Sequence, residues 1–356
     1  MKDVICAGDE RDFKFLELLV AQMFKEPNKK PGIAVVIRGD EGVGKSFFVE
    51  RLCDLIAPYF FRTSDPEHIF GDHNCQLKNV ILHHLEEAVW PGGKKTESLL
   101  KHLITGPEIP INDKFVPVYS VPNHLHLFIT GNPDWLVATG FRARRIFALH
   151  ASDAHIKDFK YFAALQEWFK SGGDAALLHY YLNYDINAAL SELGLGDIRM
   201  VHITKEHIEQ QKQSMSGVKE WAVNWVELGE WPYGEVREGH CYVIKSLLCH
   251  DYNNSPLGKR QPLTERQFGI QFLGLFPLVI DGLKQNAGNG RVKSAIRVSA
   301  PGASVQERNS SGKQADAYDI PPIAELRKVM DFNFGGESDW NEKENGVSDT
   351  KTIRLI

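Results

Sequence analysis

The chain has 356 residues, 43% of them hydrophobic and 24% charged, and carries a formal net charge of -5. At about 150 residues per domain this is roughly two domains with a sizeable core, and the near-average composition excludes a disordered, collagen-like or membrane-spanning chain. An acidic balance excludes a protein that coats nucleic acid over its whole surface, although a basic channel inside an acidic body would escape that test.

The first pattern in the chain is a helical spacing of Phe13, Leu16, Leu18, Leu19, Ala21 and Phe24, closed by Glu26 and Pro27, which predicts a docking helix. Ile33 to Ile37 is a short apolar run followed by glycines, the pattern of a buried parallel strand, and Ser46 to Ile56 reads as a helix. Further strands are expected at Tyr59 to Phe61, Val80 to Leu85 and Leu125 to Thr130. Strands alternating with helical segments define an α/β core, a parallel sheet flanked by helices.

From Asp153 to about Gly229 the pattern turns helical, with Phe159 to Phe169 and Ala175 to Leu182 as examples. Glu227 to Gly239, rich in glycine, reads as a connection. Beyond it, helical patterns at Tyr242 to Tyr252 and Thr264 to Phe276 and a strand-like Val292 to Val298 point to a winged-helix-like module. Residues 251–313 carry nine Lys/Arg against four Asp/Glu, whereas 314–356 carry five against nine, a loose acidic tail past Gly335. The expected division is an N-terminal helical segment (1–30), a phosphate-loop core (31–150), a helical extension (151–229) and the winged-helix-like module with its tail (230–356).

Five cysteines (6, 53, 75, 241 and 249) include no CxxC pair, so neither a disulfide framework nor a zinc ribbon is expected. No apolar run approaches the roughly 20 residues of a membrane helix, and the first residues turn acidic too soon for a signal peptide. A cytoplasmic protein with no membrane partner is expected.

The chemistry begins at Gly39, Asp40, Glu41, Gly42, Val43, Gly44, Lys45 and Ser46, which match GxxxxGK[ST] between an apolar strand and a helix. Glycines let backbone amides turn onto phosphate oxygens, Lys45 reaches the terminal phosphates, Ser46 can ligate Mg2+, and the helix dipole favours the same anion. Nucleotide binding, with Mg2+ as the accompanying metal, follows from this motif. The apolar strand from Asn79 ends in Glu86 and Glu87. Phosphoryl hydrolysis needs one acid near the metal and one orienting water, roles expected of Glu86 and Glu87 respectively. His73, Cys75, His83 and His84 fit no tight zinc pattern and are expected as satisfied or surface imidazoles and a lone thiol.

Another apolar strand stops at Thr130 and Asn132, whose amide can bond both a terminal phosphate and a water. Arg144 and Arg145 precede a further apolar run, a place from which a guanidinium can reach a neighbouring subunit's phosphate. A surface basic cluster is the plain alternative. Ile109 to Val118 can form a hairpin whose tip presents Lys114, with Phe115 as a stacking partner for single-stranded nucleic acid; an ordinary surface hairpin fits those residues equally.

Phosphate loop, acid pair, Lys-bearing hairpin, Asn-ended strand and arginine pair, all within 39–145, resemble the superfamily III helicases. More narrowly, Leu85 to Gly93, Lys101 to Gly106, Thr130 to Asn132 and Arg144 to Phe147 look like the helicase portion of phage and plasmid primase-helicase or primase-polymerase proteins. Gly172 to Leu182 and Gln210 to Ser216 are similar to that group as well. Glu86 departs from its pattern, in which Asp is commoner there.

The resemblance implies an AAA+-like sheet with the Asn132 strand between the phosphate-loop strand and the acid strand. It implies a hexameric ring, ATP sites at subunit junctions, and 3'-to-5' movement on single-stranded and forked DNA through a pore lined by the hairpin. A primase or polymerase portion is expected in cis or in trans, and the host cytoplasm is the location if the chain is viral. Two other readings stay open: a nucleotide-gated initiator or scaffold that binds DNA without unwinding it, and a small-molecule kinase.

Overall fold

The computed structural model describes residues 1–65, 67–70, 74–87, 94–132, 144–229, 235–237, 240–276, 280–281, 297–299, 314–338 and 340. The chain divides into two compact units, Met1–Ser214 and Met215–Ile356.

Unit 1 is built on a five-stranded sheet flanked by helices. Helix α1 (Lys2–Ile5) precedes α2 (Glu10–Lys25), which starts where the Asp9 carboxylate accepts the N–H groups of Arg11 and Asp12. Strand β1 (Ala34–Arg38) runs into α3 (Lys45–Ile56), then β2 (Phe60–Thr63), the single turn α4 (Glu67–Phe70) and β3 (Leu82–Glu86). Helix α5 (Lys94–Thr105), the hairpin β4 (Glu108–Ile111) and β5 (Tyr119–Pro122), and β6 (His126–Gly131) follow, and β7 (Ile146–His150) completes the sheet. Its order is β2-β3-β6-β1-β7, every pairing parallel, so the strand leading to Asn132 lies between β1, which precedes residues 39–46, and β3, which ends at Glu86.

Strand alternation explains the layers. In β1, Val35 and Ile37 enter a core shared with Phe15, Leu16 and Leu19 of α2 and Val49 and Leu52 of α3. Ala34 and Val36 enter the opposite core, shared with Leu100, Leu103 and Ile104 of α5 and Ile109 and Ile111 of the hairpin. One strand therefore feeds two apolar layers, which is why its sequence is a continuous apolar run rather than an alternating one.

After the sheet, α6 (Phe159–Trp168), α7 (Asp174–Leu182), α8 (Ile186–Leu193) and α9 (Lys205–Gln213) form the helical stretch expected there. Helix α9 is fastened to β7: the Thr204 hydroxyl donates to the Ala148 carbonyl and His207 Nδ1 to that of Ile146, 2.9 Å away.

Unit 2 contains α10 (Val218–Leu228), β8 (Glu235–Arg237), β9 (His240–Ile244), α11 (Lys245–Asn254), α12 (Pro256–Arg260), α13 (Glu265–Leu275), β10 (Ile280–Asp281), β11 (Arg297–Ser299), β12 (Gln314–Ile320) and α14 (Ile323–Phe334). Its antiparallel sheet has the order β10-β12-β9-β8, with β11 also paired to β12. Aromatic rings join its helices to the sheet: Trp221 meets Phe268 edge-on at 5.7 Å, Phe268 stacks on Phe272 at 5.5 Å, and Phe272 lies 5.4 Å from Tyr318. A capping box between Thr264 and Gln267 starts α13.

One expected helix is corrected. Tyr242 to Ile244 is the end of strand β9, and the helix starts at Lys245. Cys241 and Val243 are both buried, a period of two, and β9 is paired along its length with β12, a partner far away in sequence. Residues 292–296, 230–234, 238–239 and the tail from 341 lie outside the described residues. Among the described residues no helix is long and apolar enough to cross a membrane.

Candidate active site

The carboxyl edge of the parallel sheet collects most of the candidate residues. β1 ends at Arg38, the chain turns through residues 39–44, and α3 begins at Lys45 with Gly44 as its N-cap in the left-handed region, φ 104°. A side chain at Gly44 would be strained by that φ, and its Cβ would come within 2.8 Å of the Phe162 ring.

Lys45 is buried, and its ammonium donates to the carbonyls of Gly39 (2.6 Å) and Asp40 (2.7 Å) and to Asn132 Oδ1 (2.8 Å). All three protons are thus engaged, and the strand-end amide of β6 is tied directly to the loop. Burial lowers the lysine's pKa, while the charges of Asp40, Glu87 and Glu41 oppose that shift.

Ser46 and Glu86 are brought together by the β1–β6–β3 order, and their side chains share a hydrogen bond. Burial pushes the Glu86 carboxyl up, but the bonds from Ser46 and from Arg62 outweigh it and hold the group below its ordinary value. Arg62 of β2 donates to Glu86 Oε2 from Nε (2.8 Å) and Nη2 (2.5 Å), and its Nη1 binds Glu50 Oε1 at 2.5 Å. A hydroxyl and a carboxylate are the hard oxygen donors that suit Mg2+ alongside phosphate oxygens and water. Among the described residues no group of three or more His, Cys, Asp or Glu side chains is placed to hold a metal.

Glu87 is exposed and takes a left-handed conformation, φ 51°, with its N–H on the Thr130 carbonyl at 2.7 Å. Such a φ is uncommon for a residue with a side chain and marks a held turn at the strand end. Its charge acts on Lys45 across the edge.

Of the two adjacent histidines, His83 departs from the expected satisfied or surface imidazole. His83 and His84 are both fully buried, because β3 has apolar layers on each face. His84 Nε2 lies 2.9 Å from Thr130 Oγ1, but neither ring nitrogen of His83 has a hydrogen-bond partner, and its ring stacks on Phe61 at 5.2 Å. Burial lowers their pKa values to about 3 for His83 and about 4 for His84. Cys75 is exposed, and His73 lies outside the described residues.

Arg144 and Arg145 do not join this edge. Arg145 immediately precedes β7, its carbonyl accepts the Ala34 N–H, and Ala34 pairs with Ile146 at the start of β1. A five-residue strand at about 3.3 Å per residue puts the pair about 16 Å from the loop, beyond the reach of one side chain. Neither guanidinium forms an ion pair with a described residue. The hairpin forms with its tip at residues 112–118; there Phe115 is fully exposed at φ 65°, and Lys114 is exposed beside it.

Two contributors were not singled out from sequence. The signal for Arg62 is a lone cation ending the apolar run Tyr59 to Phe61. Arg38 makes a bidentate pair with buried Glu206 (2.8 and 3.0 Å), which also accepts from Gln210 at 2.8 Å, anchoring the end of β1 to α9. No local pattern reveals that pair.

A family described only as one of unknown function, DUF5906, matches residues 37–145, the interval that holds every candidate residue named above for the loop, acids, hairpin, amide and arginine pair. No curated protein matches the sequence. Among solved structures, the apo C-terminal region of NrS-1 is similar, with a TM-score of 0.56 and 14% identity over 89% of this chain and 74% of that one. A second, A-form apo structure of the same region gives a TM-score of 0.52 at 14% identity, covering 79% of this chain and 71% of the other. At that identity the likeness establishes a shared fold.

Proposed function

We propose that the chain is an ATP-dependent DNA helicase of phage or plasmid replication, which hydrolyses ATP at subunit junctions of a hexameric ring while moving on single-stranded DNA. The observation that carries this reading is the convergence at one sheet edge of Lys45 with Asn132, 2.8 Å apart, and of Ser46 with Glu86. These contacts at one sheet edge support reading residues 39–46 as a phosphate loop, Asn132 as its sensor and Glu86 as its acid.

In this reading the loop amides and Lys45 take the terminal phosphates, the ammonium exchanging backbone carbonyls for charged oxygens, which are stronger acceptors. Asn132, already bonded to Lys45, registers that exchange at the end of β6. Ser46 and Glu86 would hold Mg2+, which neutralises charge on the phosphates. Glu87 orients the attacking water, and its held backbone fixes where its carboxylate stands.

Arg145, with Arg144 as the alternate finger, stands at the far edge of its own sheet, so it serves a neighbour's phosphates. That requires a head-to-tail interface, and such interfaces close into rings or run into filaments. Lys114 and Phe115, projecting from the hairpin tip, follow backbone and base of the single strand. A primase or polymerase portion supplies the partner activity.

A second reading has its own observation. Unit 2 combines the helices α10 to α14 with an antiparallel sheet, and Arg266, Gln267 and Gln271 are exposed on α13, a helix that a winged-helix-like module would offer to duplex DNA. A nucleotide-gated initiator would use that face on duplex DNA without unwinding it. ATP turnover with and without single-stranded DNA, run beside fork unwinding and a mass measurement in ATP, separates the two. The helicase reading expects acceleration, strand separation and a multimer; turnover indifferent to DNA with no strand separation would leave the initiator.

A further inference from the structure

An aromatic wall stands beside the last glycine of the phosphate loop, assembled from three places in unit 1. A Cβ built on Gly44 would lie 2.8 Å from the Phe162 ring of α6 and 3.7 Å from a Val4 methyl of α1. Phe47, the residue after Ser46, meets Phe162 edge-on at 5.5 Å and lies 6.1 Å from Phe169. The Arg51 guanidinium sits over both Phe47 and Phe169, at 6.0 and 5.6 Å. Helix α6 carries Phe159, Tyr161, Phe162, Leu165 and Trp168, yet none of its residues is buried, and Phe159 is 81% exposed.

We propose that this wall is a nucleobase platform, on which the base of a purine nucleoside triphosphate stacks against Phe162 and Phe47 while its phosphates occupy the loop. The inference rests on the reading of residues 39–46 as a triphosphate site and adds the part of the ligand that the loop does not touch. Phosphates seated at the amino end of α3 carry their nucleoside out past the first turn of that helix, which is where Phe47 and Phe162 meet.

The polar side chains named on the wall each have a partner there, although Arg51 Nε is buried without a hydrogen bond. Asp158 caps α6 through the Tyr161 N–H and pairs with His155 at 3.1 Å, His155 stacks on Tyr161 at 3.8 Å, and Arg51 pairs with Asp54. Recognition there is by π-faces, supported by the Arg51 cation, and every base has a π-face. The platform accordingly prefers a purine to a pyrimidine for its larger ring, and separates adenine from guanine weakly.

The test is calorimetric binding of ATP, GTP, CTP and inorganic tripolyphosphate, each with Mg2+, to the full chain. ATP and GTP should bind about tenfold tighter than tripolyphosphate, with CTP between them. Phe162→Ala should close that gap while leaving tripolyphosphate affinity unchanged, and Phe162→Trp should keep it. Tripolyphosphate binding as tightly as ATP to the unmodified protein would overturn the platform while leaving the loop's role intact. If none of the four bound, the loop reading would fall and take the platform with it. A Phe162→Ala protein that kept the gap but lost self-association would assign the wall to a second copy of the chain instead.

Discussion

The two edges of the parallel sheet are differently finished. At the carboxyl edge the charged and polar groups are already engaged with one another: Lys45 with the loop and Asn132, Glu86 with Ser46 and Arg62. At the amino edge Arg144 and Arg145, and at the hairpin tip Lys114 and Phe115, make no comparable pairing with described residues, and Phe115 is wholly exposed. A set closed within one chain is preorganised; a set left open is suited to something outside the chain. The contrast divides the proposed reaction into a half each subunit carries and a half it lends.

Substitutions can break that division, and the largest effect falls on the closed edge. Lys45→Ala removes the side chain that, among the described residues, joins loop and amide, and nucleotide binding should drop below detection in a calorimetric titration. Arg145→Ala should lower turnover by about 10^3-fold or more, because a guanidinium on transition-state charge contributes about that much. Mixing the two inactive proteins makes the division visible: junctions that combine an intact loop from one with an intact arginine from the other should recover activity. No recovery at any ratio would return Arg145 to the role of a surface cation.

Glu87→Gln comes next. It keeps the strand-end turn and the Thr130 bond, which is made by the backbone, so nucleotide should bind as before while hydrolysis falls by about 10^2- to 10^4-fold. Ordinary hydrolysis in that variant, measured as phosphate release, would transfer the water-orienting role to Glu86.

What sequence reading reached follows the same physical divide between local and remote causes. The β1 strand, the loop and α3 were legible because a continuous apolar run, obligatory glycines and a GKS end are written within about fifteen consecutive residues. The Asn132 strand and the acid strand were legible for the same reason. Tyr242 to Ile244 was misread, since a short apolar run fits a period of 3.6 as readily as one of 2, and β12, which decides it, lies more than seventy residues on. Arg62 was missed because its partner is set by the β2–β3 register, and His83 because burial on both faces of β3 depends on two layers no local window contains.

The open edge gives smaller effects. Lys114→Ala and Phe115→Ala should each weaken single-stranded DNA binding, the aromatic change by about ten- to a hundredfold if the ring stacks on a base. DNA-stimulated turnover should fall with it while basal turnover stays. Equal loss of both would remove the hairpin from the DNA path. Raising salt should weaken binding further in the unmodified protein and less so in Lys114→Ala, which has given up one phosphate contact.

Acid provides the finest discrimination, because it acts on the scaffold behind the closed edge. His83 and His84 are held neutral by burial, with pKa values lowered from 6.5 to about 3 and about 4. Well above pH 6.5 neither the folded nor the unfolded chain protonates them, so they leave stability unaffected there. Between pH 6.5 and about 4 the unfolded chain takes up protons that the folded one refuses, and stability falls by at most about 1.4 kcal/mol per pH unit for each imidazole. His126 and His207, also buried with pKa values lowered to about 4, act in the same direction. Denaturant midpoints should therefore decline from pH 7 to pH 5. His83→Leu, which removes an imidazole with no hydrogen-bond partner, should make the decline shallower at little cost in stability at pH 7. A midpoint flat across that interval would mean that these rings are solvated, and that β3 does not carry Glu86 and Glu87 on a dry support.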